Sequence, residues 1–126
     1  MDMPETVALL DKEHPVRLPG FTEREELAAA YAQHAEDPMG LRRVYGAVIG
    51  LCTSLGAASG ANWRASKCDV LTYGGSVYGY LREHGATVGD VAEVGISILA
   101  PLMVQLFPRE AEVAEQAGFT PAAEGG

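Results

Sequence analysis

The sequence contains few of the residues that build disulfides, metal sites and basic surfaces. Among its 126 residues are two cysteines, Cys52 and Cys68, and three histidines. This cysteine count fits reduced thiols better than a disulfide framework, so we expect a cytoplasmic protein. Lysine and arginine together number 9 against 17 acidic residues, for a formal net charge of −8. Because phosphate contacts need a basic face, we expect no binding to nucleic acid or to an anionic membrane surface.

From the sequence we also expect neither a signal peptide nor a membrane span. The first residues are acidic and include a proline, which is unlike the basic start and apolar stretch of a signal peptide. The longest apolar run, residues 94–107, is interrupted by Ser97, Pro101 and Gln105. It is short for a membrane span and predicts a buried core helix instead.

No pattern of reactive residues dictates a reaction. His14, His34 and His84 fall in three separate predicted elements and have no ligand spacing, so we expect no metal site. No glycine-rich loop has the ending of a phosphate-binding loop, and we expect no cofactor. Cys68 lies near a predicted helix start beside Lys67, which favours a thiolate, and could act as a nucleophile with His84 or an acidic residue. The alternative is an unreactive thiol, and we expect no enzyme.

Charge is distributed unevenly along the chain. Residues 41–106 carry five basic and four acidic side chains, whereas residues 1–40 carry three and nine, and residues 107–126 carry one and four. A nearly neutral, apolar and glycine-rich middle is therefore flanked by two acidic ends. This division is typical of a chain that buries surface against itself or against partners.

The first twenty residues predict an extended arm or a small β-hairpin. Residues 6–10 are apolar, residues 11–14 form a polar turn, and residues 15–19 alternate between apolar and polar with prolines at the edges. The helical domain is then predicted over residues 21–118, with a flexible tail over residues 119–126.

Capping signals and apolar periodicity predict an all-α, bundle-like domain of four to five helices with short loops. The first main helix is predicted at 22–35, from a Thr22–Glu25 capping box against which Phe21 packs as a hydrophobic staple. The second is predicted at 38–55, after Asp37-Pro38, and ends at Gly56. The third, at 66–84, begins with a Ser66–Asp69 box, and the fourth, at 88–106, begins with a Thr87–Asp90 box. Pro101 should kink the last of these helices. A short acidic helix from Pro108 to Gly118 is the fifth.

A row of small residues marks the second predicted helix. Gly46, Gly50 and Ser54 are spaced four apart, so they share one helix face. Glycine costs about 1 kcal/mol of helix stability relative to alanine, and tight packing must offset this cost. We therefore predict a close helix crossing here and treat Gly46 and Gly50 as interface candidates.

Three larger side chains are further interface candidates. Trp63 and Arg64 lie in the predicted loop 57–66 and are of the residue types that anchor interfaces. The alternative is that Trp63 folds back to cover the core. Tyr78 belongs to a set of tyrosines on the third predicted helix, which forms either an exposed ring patch or part of the core lining.

The order of segments resembles that of small phage and prophage tail assembly chaperones. The resemblance rests on residues 15–27, 41–52 and 69–75, followed by an apolar helix with an acidic tail, and covers roughly residues 14–110. It implies a mostly helical protein without catalytic residues that binds tape-measure or tail proteins before tube assembly. No functional residue of that family is carried over to a position of this chain.

Two functional hypotheses follow. The first is a non-enzymatic interaction protein, a tail assembly chaperone or virion component that binds a tail or tape-measure protein and can form a homo-oligomer. The second is a small-molecule-binding or regulatory helical module. Its pocket would lie between the second and fourth predicted helices, lined by Val48, Cys52, Ile98 and Met103.

Overall fold

The computed structural model of the chain describes residues 2–106, and in this range a two-stranded hairpin precedes five helices. The elements are β1 Thr6–Leu9, β2 Lys12–Pro15, α1 Phe21–His34, α2 Pro38–Cys52, α3 Leu55–Ala58, α4 Val70–Glu83 and α5 Val88–Leu106. This order confirms a mostly helical domain with an N-terminal hairpin. The helix predicted from Pro108 to Gly118 and the predicted tail lie outside the described residues.

The hairpin forms in a different register from the predicted one. β1 and β2 are antiparallel, with Val7 opposite His14 and Leu9 opposite Lys12. Leu10 and Asp11 form the two-residue turn, with φ of 57° and 60°. Two positive φ values are typical of a type I′ turn, whose twist matches that of the strands. The predicted turn over residues 11–14 is therefore wrong, because the second strand begins immediately after Asp11.

α1 begins one residue earlier than its predicted capping box. Gly20 is the N-cap with extended φ and ψ, and no side chain caps the helix. Thr22 therefore lies within the first turn and cannot cap it. Phe21 is 60% exposed, and the Arg24 guanidinium lies 5.6 Å from its ring centroid. The predicted staple is wrong because Phe21 is the first residue of α1 rather than the residue before its cap, and its ring is largely exposed.

α2 begins after Asp37 as predicted but ends at Cys52 rather than at Leu55. Thr53 leaves the helical conformation, and its hydroxyl donates to Ile49 O at 2.6 Å and accepts from Leu55 N at 3.1 Å. These two bonds end α2 and start the short α3. The backbone N–H of Arg17 donates to Cys52 O at 2.8 Å, which satisfies a terminal carbonyl of α2.

The predicted cap of α4 is corrected by the structure, and the predicted cap of α5 is confirmed. Asp69, rather than Ser66, is the N-cap of α4 and accepts from Thr72 N at 3.3 Å. At α5 the predicted box is present: Thr87 N donates to Asp90 Oδ2, and Asp90 N donates to Thr87 Oγ1, both at 3.0 Å.

α2 is the central helix of the fold and packs against α1, α4 and α5. The hairpin packs against α5 through β1. The centre of the core is formed by side chains of α1, α2, α4 and α5 that have no exposed surface: Leu27, Val44, Ala47, Val48, Ile49, Cys52, Val77, Leu81 and Ile98. Burial of such aliphatic side chains supplies the main stabilisation of a domain of this kind.

Candidate functional site

The glycine row on α2 lies at a close crossing with α4, as predicted. A Cβ atom built on Gly46 would overlap the Gly74 carbonyl oxygen and lie 3.1 Å from the Tyr78 Cβ. A Cβ on Gly50 would lie 2.7 Å from Val77 Cγ2. The two backbones can approach only because these side chains are absent. Ser54 takes no part in the row, because it lies after the end of α2 and is exposed.

Because Gly46 and Gly50 are buried within the chain, they do not offer a surface to another molecule. Their packing partner is α4 of the same chain, so their assignment to an external interface is corrected here. The physical inference of a close main-chain contact is right, but the contact is internal.

Trp63 covers the end of the same crossing. Its ring meets the Tyr73 ring edge to face, with centroids 5.5 Å apart. The Tyr73 hydroxyl lies 2.8 Å from the position of a Cβ on Gly50 and closer still to one on Gly56. Burial raises the pKa of the Tyr73 phenol, and the nearby Arg17 lowers it by a smaller amount. Trp63 is half-buried against the core, which is the alternative left open for it above.

The five interface candidates do not form one exposed surface. Tyr78 is half-buried against the core, over Gly46. Arg64 is exposed in the turn before α4 and makes no side-chain hydrogen bond to the described residues. Of the five, Arg64 is thus the one whose side chain lies in solvent.

The structure places exposed apolar side chains elsewhere, on the outward face of α5. Ile96 and Val104 are each 40% exposed, and Ala100 and Met103, which share their helix face, are half-buried. We call these four residues the α5 outer stripe. Residues 94–106 contain no charged side chain. Sequence reasoning missed the stripe because apolar residues on all sides of α5 were attributed to burial.

The face of α5 opposite the α5 outer stripe packs against α2 and so fixes the orientation of the helix. A Cβ on Gly95 would lie 2.6 Å from the Tyr45 Cβ, so α5 approaches α2 closely at this point. Val91, Ile98, Leu99 and Leu102 face the same way and have at most 1% exposure. Within the described residues, packing therefore leaves Ile96 and Val104 of the stripe exposed, whereas Ala100 and Met103 are partly covered.

The pocket predicted between the second and fourth main helices, α2 and α5, is filled. Val48, Cys52 and Ile98 have no exposed surface, and Met103 packs against the same core. The small residues of α2 close this interface rather than leave space in it, because they let neighbouring helices approach.

The two cysteines have different environments. Burial raises the pKa of the Cys52 thiol from 9.0 to about 12, so this thiol stays protonated at neutral pH. Cys68 is exposed and lines a groove with His34, whereas His84 lines a different cavity. The structure therefore does not bring Cys68 and His84, the pair that the sequence left open, into one depression. Within residues 2–106, no three histidine, cysteine or acidic side chains group where they could hold a metal ion.

Comparison with known proteins yields no relative. No family model, no curated protein and no solved structure matches this chain. Among residues 2–106, each helix is too short or too polar to cross a membrane.

Proposed function

We propose that this chain is a non-enzymatic protein-binding module that uses the α5 outer stripe as its contact surface. The single observation that carries the proposal is the exposure of Ile96 and Val104 in the part of α5, residues 94–106, that contains no charged side chain. Apolar residues exposed together and bordered by polar ones are typical of binding sites. Within residues 2–106, the buried core forms without Ile96 and Val104, so packing among these residues does not account for their exposure.

The partner that suits this surface has an apolar segment flanked by basic residues. The stripe offers van der Waals contact and apolar burial, whereas the rest of the chain carries the charge of −8. An acidic chain attracts a basic partner at a distance and speeds its association. A tail assembly chaperone that covers an apolar surface of a tail or tape-measure protein would act in this way. The proposed compartment is the host cytoplasm, with the virion as a further location.

Site-specific photo-crosslinking in the native host tests this proposal. A photoreactive phenylalanine analogue is placed at position 96, within the stripe, and in a control at position 76, on the polar outward face of α4. We expect a discrete adduct from position 96 and none from position 76. An adduct with a tail or tape-measure protein supports the chaperone assignment. The absence of a position-specific adduct contradicts the proposed contact surface, and an adduct with a second copy of this chain replaces the chaperone assignment by self-association.

A further inference from the structure

The hairpin has a free edge on the side of β1 that faces away from β2. Val16 N donates to Glu5 O at 2.9 Å, which marks Glu5 and Val16 as a hydrogen-bonded pair of the ladder. Because such pairs alternate along an antiparallel ladder, the main-chain N–H and C=O groups of Thr6 and Ala8 point away from β2. No main-chain hydrogen bond joins Thr6 or Ala8 to a described residue outside the hairpin. Among residues 2–106, these donors and acceptors therefore have no main-chain partner.

The two edges of the hairpin differ in what they offer a further strand. The outward positions of β2 are the residues opposite Thr6 and Ala8, which are Pro15 and Glu13. Proline has no N–H, so Pro15 removes one of the donors that an added strand would need. Both outward positions of β1 carry an N–H. β1 is therefore the edge that can accept a further strand with a complete ladder.

A groove separates the free edge of β1 from α5. It has a volume of about 290 Å³, and its lining comes from the start of the chain and from one side of α5: Pro4, Thr6, Val7 and Ala8, with Glu93, Val94 and Ser97. The edge is thus open to a further segment rather than covered by the helix. In β-augmentation, an extended peptide adds a strand to such an edge and is held by main-chain hydrogen bonds.

The charges along the groove indicate which segment fits. Glu93 lines the groove, and an adjoining depression shares Ala8 with it. The charged residues of this depression are one lysine and three acids: Lys12, Asp11, Glu13 and Asp90. Within residues 2–106, no ion pair involves Glu93 or Asp90. A second copy of this chain would bring the same carboxylates opposite each other, which opposes binding, whereas a basic segment complements them.

We propose that the free edge of β1 binds an extended segment of a partner protein as an added strand, with basic side chains turned toward Glu93 and Asp90. Main-chain hydrogen bonds to Thr6 and Ala8 hold the segment, and the carboxylates select its charge. This surface offers hydrogen bonds and charge, whereas the α5 outer stripe offers apolar area. The two proposals are therefore independent, and either can fail alone.

Titration of the full chain with a short peptide of alternating threonine and lysine, followed by amide NMR shifts, tests this inference. Two matched peptides are the controls. One has glutamate in place of lysine, and the other has methylated main-chain nitrogens on alternate residues, which removes the donors that would face β1. We expect saturable shifts at Thr6 and Ala8, with each control peptide binding at least about tenfold more weakly.

Variants of the chain give the second comparison. Ala8→Pro and Glu13→Pro each remove an outward N–H, one from either edge, and neither N–H belongs to the ladder between β1 and β2. Ala8→Pro should lose about tenfold in affinity for the lysine peptide, whereas Glu13→Pro should lose less than about threefold. Glu93→Gln changes an exposed side chain without altering the main chain, and should lose about threefold.

Equal affinity for the lysine and glutamate peptides would overturn the proposal, and so would unchanged affinity in folded Ala8→Pro and Glu93→Gln. The same holds if Thr6 and Ala8 show no saturable shifts at millimolar peptide. Shifts of these two amides that depend on protein concentration without peptide would assign the edge to a second copy instead. Slow hydrogen exchange of the same amides in the free monomer would mean that residues 107–126 already cover the edge.

Discussion

α4 and α5 both pack on α2, yet they present different faces to solvent. The outward face of α4 carries Thr72, Ser76 and Arg82, all exposed, which is typical of a surface helix. The outward face of α5 carries Ile96 and Val104 instead. Two helices with similar positions in the fold therefore expose different side chains to solvent, polar ones on α4 and apolar ones on α5.

The inward faces of the two helices show why this difference concerns function. α4 meets α2 through Gly74, where a Cβ would overlap the Arg43 carbonyl oxygen, and α5 meets it through Gly95 beneath the Tyr45 ring. Both contacts are close and both bury aliphatic side chains. Packing among residues 2–106 buries Val70, Tyr73, Val77 and Leu81 of α4, but it covers only one side of α5.

The largest expected effect separates the two faces of α5. Ile98 has no exposed surface, so Ile98→Ala should destabilise the fold by about 2–5 kcal/mol. Ile96 is 40% exposed, and Ile96→Ala should cost less than about 1 kcal/mol. Urea unfolding of both variants measures these values. Equal costs would mean that the stripe is packed inside the protein.

Glycine-to-alanine substitutions on the two faces of α4 should change the stability of the fold in opposite directions. A Cβ on Gly74 would overlap the main chain of α2, so Gly74→Ala should destabilise by about 1–3 kcal/mol. Gly79 has nothing within 4 Å of its Cβ position, and Gly79→Ala should stabilise by about 0.5–1 kcal/mol through helix propensity. Stabilisation by both variants, seen in thermal and urea unfolding, would rule out the close crossing.

Alkaline pH probes the interior of α2. Burial raises the pKa of the Cys52 thiol from 9.0 to about 12. Above pH 9 the unfolded chain releases this proton while the folded chain keeps it, so stability falls as the pH rises towards 12, by about 1 kcal/mol per pH unit. Cys52→Ala should remove this slope between pH 9 and 10, before the tyrosines ionise, and Cys68→Ala should keep it. An identical slope in both variants would contradict the burial of Cys52.

A smaller effect is expected at the start of α5. Thr87 and Asp90 exchange two hydrogen bonds there, so Thr87→Ala should cost about 1 kcal/mol. Thr22 was predicted to cap α1 but lies inside its first turn, and Thr22→Ala should change stability by less than about 0.5 kcal/mol. Both free energies of unfolding come from urea titration. A larger loss for Thr22→Ala than for Thr87→Ala would contradict the assigned caps.

Local sequence signals predicted those parts of the fold that neighbouring residues determine. The box at Thr87 and the start of α2 after Asp37 depend on a few adjacent residues, and both are where the sequence indicates. The glycine spacing on α2 also predicted a close crossing. The hairpin register did not follow, because the turn uses Leu10 and Asp11 rather than the glycine or asparagine that usually marks positive φ.

The candidate sites depended on tertiary packing and were largely missed. An apolar residue in α5 reads the same in sequence whether it faces α2, as Ile98 does, or solvent, as Ile96 does. The one available signal was the excess of apolar residues in α5 over those that one buried face requires.

The most direct test of the α5 outer stripe as the contact surface measures how much of the crosslinked partner is retained by a variant with charged residues in the stripe. The variant Ile96→Glu with Val104→Glu is compared with Ala32→Glu and Ser76→Glu, which add the same charge at exposed positions of α1 and α4. We predict that both variants stay folded, and that the stripe variant retains at least about tenfold less partner than the control. Wild-type retention by the folded stripe variant would contradict the assignment of the α5 outer stripe as the contact surface.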